Sequence, residues 1–519
     1  MERSPCLLRR LLLAAVAWSS VCLAVVAAAE KGSAYRAAME SITGVELQNH
    51  VAYLASDALE GRESGTRGGL SAANYLVSRL NHAPFHGGAA DGGFFQVFTP
   101  NYRNVLVRLE GSDPELKNQY IVIGAHYDHI GYGARASLDG YGQIHNGADD
   151  NASGTSGVLE LADAFATLPE APRRSILFVF WDAEEKGLLG SKHWVAYPTV
   201  PLPQVAAMLN LDMIGRVRGD RLLVLGTRSA YGLRRLAALQ NREAGLLLDF
   251  PWKMAPEADH YPFFERGIPV LMFNTDLHEQ YHRATDDPQL INTAGMQQVA
   301  RLMFGIAYQL ANNPETLRYR TQARHELQEP RHTVFGQTAP MPERLGIACE
   351  RQTTPARGVR LTQVTPGSPA QRGGLAPEDR IVQFDERTIQ TSDELAQAVA
   401  NAENPVSVVI ERSGQPQPLK LTLNLIGGPM RLGITWRLDE AEPGTVILTY
   451  VAPNSPAAQA GLEVGDRVYQ IAGQDFADDT EFARLAKTLP GPIRLMVERR
   501  GRIRIVEIPL DPQPVDRSA

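Results

Sequence analysis

Between Ala34 and about Asn313, short apolar runs alternate with longer amphipathic stretches, and no other feature of the chain constrains its fold as tightly. The runs are Asn104 to Leu109, Tyr120 to Ala125, Ser175 to Trp181, Val205 to Asp212, Arg221 to Leu225 and Val270 to Phe273. Helical periodicity fills Gly68 to Leu80, Ser153 to Leu168, Tyr231 to Ala244 and Ala294 to Ala311. Strand-length runs separated by helices predict an α/β domain on a mainly parallel sheet, because parallel neighbours are joined by a crossover.

A second region repeats. R-L-G-I at Arg344–Ile347 recurs at Arg431–Ile434, and S-P-A-Q-R-G-G-L-A-P-E-D-R-I from Ser368 recurs as S-P-A-A-Q-A-G-L-E-V-G-D-R-V from Ser455. The pairs Gly346/Gly433, Ser368/Ser455, Gly374/Gly461 and Asp379/Asp466 share one offset, which predicts two copies of one small domain. Alternating runs such as Val406–Glu411 and Ile493–Glu498 make each copy β-rich. Asn313 to Glu343 is polar and punctuated by proline, and is expected to be a linker with one short helix within Glu315–Glu326. At 519 residues the chain exceeds a single core. The expected division is 1–29, 30–313, a linker over 314–343, and small domains over 344–426 and 430–511.

Residues 1–29 carry Arg3, Arg9 and Arg10, then the apolar run Leu11–Ala29 ending in three alanines before Glu30. That pattern predicts a cleaved secretory signal peptide, hence export to a periplasmic or extracellular location, with an uncleaved anchor as the alternative. Cys6 and Cys22 would leave with it, so Cys349 would be alone and no internal disulfide is expected. No other segment is long and apolar enough to span a membrane. A formal net charge of -7 without a clustered Lys/Arg stripe argues against nucleic acid as a partner.

The chemistry lies where the apolar runs end, since ligands of open α/β sheets gather at the carboxyl ends of strands. One run leads into His126 and Asp128; another into F-V-F-W-D-A-E-E, with Asp182, Glu184 and Glu185; a third into Asp212. The loop N-G-A-D-D-N-A-S-G brings Asp149 and Asp150, and Y-H-R-A-T-D-D brings His282. Two imidazoles and several carboxylates on one sheet edge repel without a counter-charge, and a pair of divalent cations supplies it. Mixed nitrogen and oxygen donors without cysteine suit catalytic zinc, with cobalt or manganese as possible substitutes.

The order of these five motifs resembles the M28 family of co-catalytic zinc exopeptidases, the leucine-aminopeptidase-like enzymes, from about Leu47 to Leu310. The segment L-A-S-D-A-L-E-G-R-E-S-G-T-R-G-G near its start belongs to the same resemblance. It implies a zinc-exopeptidase (phosphorylase/hydrolase-like) fold with two Zn2+ ions. His126 and Asp212 would hold one ion, Glu185 and His282 the other, and Asp150 would bridge them, with a cis bond from Asp150 to Asn151. Asp149 is then expected not to be a ligand. Asp128 would bond the far nitrogen of His126, and Glu184 would be the general base acting on a metal-bridging water. His129 is expected to be ordinary packing or surface, and Trp181 core. Asp259 and His260 match a stretch near the family's substrate pocket, although Ala258 replaces its usual serine. His278 and Tyr281 are candidates for lining the cleft.

The repeated copies resemble PDZ domains of the kind attached to bacterial envelope proteases, through x-L-G-I and the S-P-A-x-x-A/G-G-L segment. The resemblance implies that backbone N–H groups of R-L-G-I capture a peptide's terminal carboxylate while its last residues extend a sheet. Glu378 stands where the second copy has Gly465, which puts the first loop's geometry in question. Packing of these modules on or over the catalytic domain is the alternative to peptide binding. For the whole chain the leading expectation is an aminopeptidase with peptide substrates. A carboxypeptidase or dipeptidase would need an arginine pocket, for which Arg216, Arg218 and Arg283 are candidates. A glutaminyl-cyclase-like transferase is disfavoured by the full ligand set, and a non-catalytic binding protein driven by the PDZ pair by Glu184 as well.

Overall fold

The computed structural model describes residues 32–98, 101–133, 136–326, 344–426, 430–453 and 455–510. The expected signal segment, with Cys6 and Cys22, and most of the expected linker lie outside the described residues. The chain divides into two units, which meet in sequence near residue 328. No helix among the described residues is long and apolar enough to cross a membrane.

The first unit is built on β1 (Phe85–Gly87), β2 (Phe95–Phe98), β3 (Tyr102–Leu109), β4 (Tyr120–His126), β5 (Ser175–Trp181), β6 (Val205–Leu211), β7 (Arg221–Leu225), β8 (Leu247–Asp249) and β9 (Val270–Asn274). They pair in the order β1-β3-β5-β4-β6-β9-β7-β8, with β2 on β3. The centre, β5-β4-β6-β9, is parallel as expected, while β3 and β7 join it antiparallel. β4, β5 and β6 are buried along their whole length, which explains why they read as unbroken apolar runs. Alternate residues serve opposite faces. Ile121, Ile123, Phe178 and Leu209 pack with the helices Gly44–Leu54, Gly154–Ala166 and Thr293–Asn312. Val122, Leu177, Val179 and Trp181 pack with Trp194 and Phe263. Trp181 is therefore core.

The chain leaves β4 for β5 on one side and returns to β6 on the other, so the strand order reverses beside β4. Such a reversal opens a crevice at the carboxyl ends of the strands. The strands not expected from sequence, β1, β2 and β8, are edge pieces of three or four residues, too short for a periodic pattern. The polar run after Asn313 is not all outside a core: Ala323 and Arg320 are buried, and Arg320 and Arg228 both pair with Glu326.

The second unit contains two sheets. β10 (Ile347–Cys349), β11 (Val359–Val364), β12 (Arg380–Phe384), β13 (Arg387–Thr388), β14 (Val406–Glu411) and β15 (Leu419–Leu423) form the first. β16 (Ile434–Leu438), β17 (Val446–Val451), β18 (Arg467–Ile471), β19 (Ile493–Arg499) and β20 (Arg502–Ile508) form the second. Each copy has its own apolar core, and the ladders are antiparallel. Register shifts fall at repeated positions, between Ile381 and Gln383 in one copy and Val468 and Gln470 in the other. Ser368 and Ser455 each cap a short helix by accepting the N–H of Gln371 or Ala458 at 3.2 Å, an interaction whose removal costs about 1 kcal/mol.

The arginine of each R-L-G-I turn has the same task. Arg344 donates to the carbonyls of Ala400 (2.8 Å) and Ala402 (3.0 Å), at the end of the helix Ser392–Asn401. Arg431 donates to those of Lys487 (3.2 Å) and Leu489, at the end of Asp479–Thr488. Both satisfy the open carbonyls of a helix C-terminus and complement its dipole. The doubt over Glu378 is resolved: it adopts φ 75° where Gly465 has φ 92°. Its N–H donates to Leu361 as that of Gly465 does to Leu448, so the loop keeps its form despite the side chain.

Candidate metal centre

His126 is the last residue of β4, and Asp212 follows β6 directly. Glu184 and Glu185 lie on the turn after β5, and His282 on the longer loop after β9. Asp150 enters from the irregular turn Ala148–Ser153 ahead of the helix Gly154–Ala166. The bond between Asp150 and Asn151 is cis, as the resemblance implies. Ala183 (φ 57°), Met213 (φ 58°) and His282 (φ 51°) take left-handed backbone beside or at these groups. Each such residue costs about 1–3 kcal/mol and persists where its surroundings hold it. At Met213 the holding is visible: its N–H donates to Asn151 Oδ1 at 3.1 Å, an oxygen that also accepts from Gly154 N–H at 2.9 Å.

The five expected ligands are brought together. His126 Nε2 lies 3.3 Å from Asp150 Oδ1 and 3.4 Å from Asp212 Oδ1. His282 Nε2 lies 3.2 Å from Asp150 Oδ2 and 3.3 Å from Glu185 Oε2. The far nitrogens of both rings donate to main-chain carbonyls, His126 Nδ1 to Asp128 at 3.2 Å and His282 Nδ1 to Ala136 at 3.0 Å. With Nδ1 committed as a donor, each ring turns Nε2 toward the carboxylates, the nitrogen through which a histidine so held binds a metal. Two groups of donor atoms close enough to hold an ion, His126/Asp150/Asp212 and His129/Asp150/Glu185, share Asp150. His282 is in neither group, although its Nε2 reaches both Asp150 and Glu185, and the residues fit a pair of metal ions.

Asp128 lies beside His126 but holds other partners more closely. Its carboxylate oxygen is 3.7 Å from His126 Nδ1, farther than its own carbonyl. Instead Oδ1 accepts the N–H of Glu184 at 3.0 Å, and Oδ2 accepts from Ser64 Oγ at 2.9 Å. It therefore links the β4 end to the turn carrying Glu184. Glu184 Oε2 stands 4.0 Å from His126 Nε2, facing the cluster without joining either donor group.

The adjacent carboxyls are pushed apart in acidity. Burial holds Glu184 well above the ordinary carboxylate range, only partly opposed by His126. Burial and Asp150 also push Glu185 up, but hydrogen bonds from His129 and His282 reverse this and hold it at about 2. For His282, burial is outweighed by Asp150 and Glu185, which raise it to about 11. Opposed environments for neighbouring carboxyls are the usual mark of divided chemical roles.

Other candidates are placed less directly. Asp149 turns away from the ligand cluster, accepting from Gly215 N–H at 2.6 Å and standing 3.2 Å from His278 Nε2. His278 is thereby buried rather than lining an open cleft. Tyr281 stacks on His282 with ring centroids 3.9 Å apart. Asp259 and His260 are fully buried, and burial raises Asp259 to about 7. Asp182 accepts the N–H of Arg103 at 2.8 Å and so shapes the turn after β5.

Three supporting groups went unread in the sequence. His129, expected to be packing or surface, is buried with Nδ1 2.8 Å from Glu185 Oε1. Arg62, from the L-E-G-R segment, is buried and donates to the carbonyls of Leu54, Tyr127, Asn146 and Gly147 at 2.6–2.9 Å. It ties the loop after β4 to the loop of Asp150. Asp286 Oδ2 accepts the N–H groups of both Asp149 (2.8 Å) and Asp150 (3.1 Å). The only sequence signal for His129 was its place just after a ligand strand; Arg62 and Asp286 act through main-chain atoms, which leave no side-chain pattern.

The profile of peptidase family M28 matches residues 104–307, and that of the PDZ domain matches 360–412 and 447–499. Leupeptin-inactivating enzyme 1 of Streptomyces exfoliatus is 29% identical over 217 residues, covering 40% of this chain and 43% of its own length. Aminopeptidase YwaD of Bacillus subtilis (strain 168) is 27% identical over 217 residues, 39% of this chain and 44% of that protein. The matched stretch thus spans less than half of either relative. The crystal structure of the LapA aminopeptidase of Legionella pneumophila aligns with TM-score 0.46 and 23% identity over 55% of this chain and 76% of that one. The chain carries a family M28 peptidase domain followed by two PDZ domains.

Proposed function

We propose that the chain is an exported di-zinc exopeptidase that removes N-terminal residues from peptides. The observation that carries this reading is the division of Asp150, whose Oδ1 faces His126 and whose Oδ2 faces His282. A carboxylate turned to two ligand groups is what a ligand shared by two ions requires. Imidazole and carboxylate donors without thiolate suit zinc in a reactive site. His126 and Asp212 would hold one ion, Glu185 and His282 the other, and Asp150 both. Bound there, the ions would polarise the scissile carbonyl and make a water acidic near neutral pH.

The chain's own residues then move the proton. Glu184 would accept it from the attacking water and pass it to the leaving amine. Its main-chain N–H, anchored on Asp128, keeps it beside the cluster.

An amino-terminal specificity is favoured over a carboxypeptidase by the three candidate arginines. Arg216 donates to Leu290 and Gln280, Arg218 to the carbonyl of Leu277, and Arg283 to Asp139. Each guanidinium is engaged within the protein rather than offered to a substrate carboxylate. The PDZ pair would bind the C-terminal ends of peptides or partners. The test is a panel of N-terminally free and N-acetylated peptides, assayed with and without a chelator. Turnover of the free peptides alone, lost on chelation and restored by Zn2+, is expected. Cleavage indifferent to acetylation would refute the aminopeptidase reading, and turnover surviving metal removal would refute the zinc mechanism.

A further inference from the structure

We infer that His129 is a positioning residue for the second metal site, holding Glu185 by a hydrogen bond from Nδ1–H to Oε1 so that Oε2 is left for the ion. The inference rests on the di-metal reading above. Its observation is a difference in orientation among the three histidines of the cluster. His126 and His282 put Nδ1 on main-chain carbonyls and turn Nε2 toward the carboxylates. His129 is reversed: Nδ1 points at Glu185 from 2.8 Å and lies 4.0 Å from Asp150 Oδ2.

By distance alone His129 could be a ligand, since its Nδ1 completes a donor group with Asp150 and Glu185. The other ring nitrogen decides against it. Nε2 of His129 is buried and has no hydrogen-bond partner among the described residues. A ring that gave its Nδ1 lone pair to a metal would carry its proton on Nε2, leaving a buried N–H without an acceptor, which proteins avoid more strictly than an unused lone pair. The proton therefore belongs on Nδ1, where Glu185 accepts it. The two oxygens of Glu185 then have different partners, Oε1 facing His129 and Oε2 facing His282 at 3.3 Å.

The chain makes room for this ring. Gly147 has φ 56°, and a Cβ there would lie 2.5 Å from Cδ2 of His129. The same glycine's carbonyl accepts from Arg62 at 2.9 Å, so the loop leading to Asp150 is held against the imidazole.

The test is titration of the metal-stripped full chain with Co2+, read by calorimetry and by the visible absorption of the bound ion. The wild type should take two equivalents. In His129→Ala one affinity should fall by about 10–100-fold, the range for losing a hydrogen-bond partner of a metal ligand, while the other is unchanged. His129→Asn, whose amide N–H falls near the position of Nδ1, should recover most of the loss with a wild-type spectrum. If His129→Ala fails to fold, His129→Asn compared with His129→Leu carries the same contrast. Unchanged affinities without the donor would overturn the inference alone. So would a spectrum in His129→Asn showing the loss of a nitrogen ligand, which would make His129 a ligand. Fewer than two equivalents in the wild type would overturn the di-metal reading and this inference with it.

Discussion

The two halves of the metal centre are supported by different means. His126 belongs to β4 and Asp212 follows β6, so the ladder of the sheet itself sets their positions. Glu185 and His282 lie on loops beyond β5 and β9, and there side chains do the holding. His129 bonds Glu185, and Arg283 reaches Asp139 at 2.6 Å, an aspartate that also accepts the N–H of Ala284. A ligand on a strand inherits its precision from main-chain hydrogen bonds, whereas a ligand on a loop needs dedicated partners to reach the same precision. Asp150 serves both halves and is fixed by Asp286 through main-chain N–H groups.

The change that should break the comparison most completely is Asp150→Asn. It weakens both halves together, and metal analysis after dialysis should find neither ion retained, with activity lost. Retention of one full equivalent would show that the halves do not depend on a shared ligand. Next in size, Glu184→Gln should keep both ions and lower kcat by roughly 10²–10⁴-fold, the usual contribution of a general base. Loss of metal in that variant would mean that Glu184 is a ligand and that its division from Glu185 is wrongly drawn.

Asp128→Asn tests the strand half. Because the main-chain carbonyl of residue 128 is the nearer acceptor for His126 Nδ1, Co2+ affinity at this site should fall only toward the lower end of about 10–100-fold. A larger loss than in His129→Ala would reverse the conclusion that the loop half depends more on its side-chain partners.

The smallest effect is on stability. Burial raises Asp259 from 3.8 to about 7, so the native state holds a proton there that the unfolded chain releases at lower pH. The group's favourable contribution is full below about 4 and is lost as pH rises through about 7. In metal-stripped protein, Asp259→Asn should therefore gain Tm relative to wild type as pH rises across that window and show no gain below it. A gain independent of pH would place the effect elsewhere.

Much of this was legible before the fold was known. β5 falls where its apolar run begins and ends, because a strand buried on both faces writes itself as an unbroken run, and β7 also matches its run although only alternate residues are buried. The five ligand candidates were readable because each follows such a run or opens a helix, and the two β-rich copies because their turn residues repeat. The short edge strands were not, since three residues carry no period. His129 was not, because nothing in Y-D-H-I-G distinguishes a packed imidazole from one aimed at a carboxylate across the crevice. Arg62 is a conspicuous charge in L-E-G-R, yet its partners are carbonyls, three of them on distant parts of the chain.

The sequence by itself determined the longer strands, the residue types at their ends and the doubled C-terminal module, since these follow from local pattern and spacing. Only the tertiary structure decided which nitrogen of each histidine faces the carboxylates, that Asp128 holds the main chain of Glu184 more closely than the ring of His126, and that Glu184 and Glu185 meet opposite electrostatic surroundings. Those outcomes depend on direction and distance between groups far apart in the chain, which composition and periodicity do not encode.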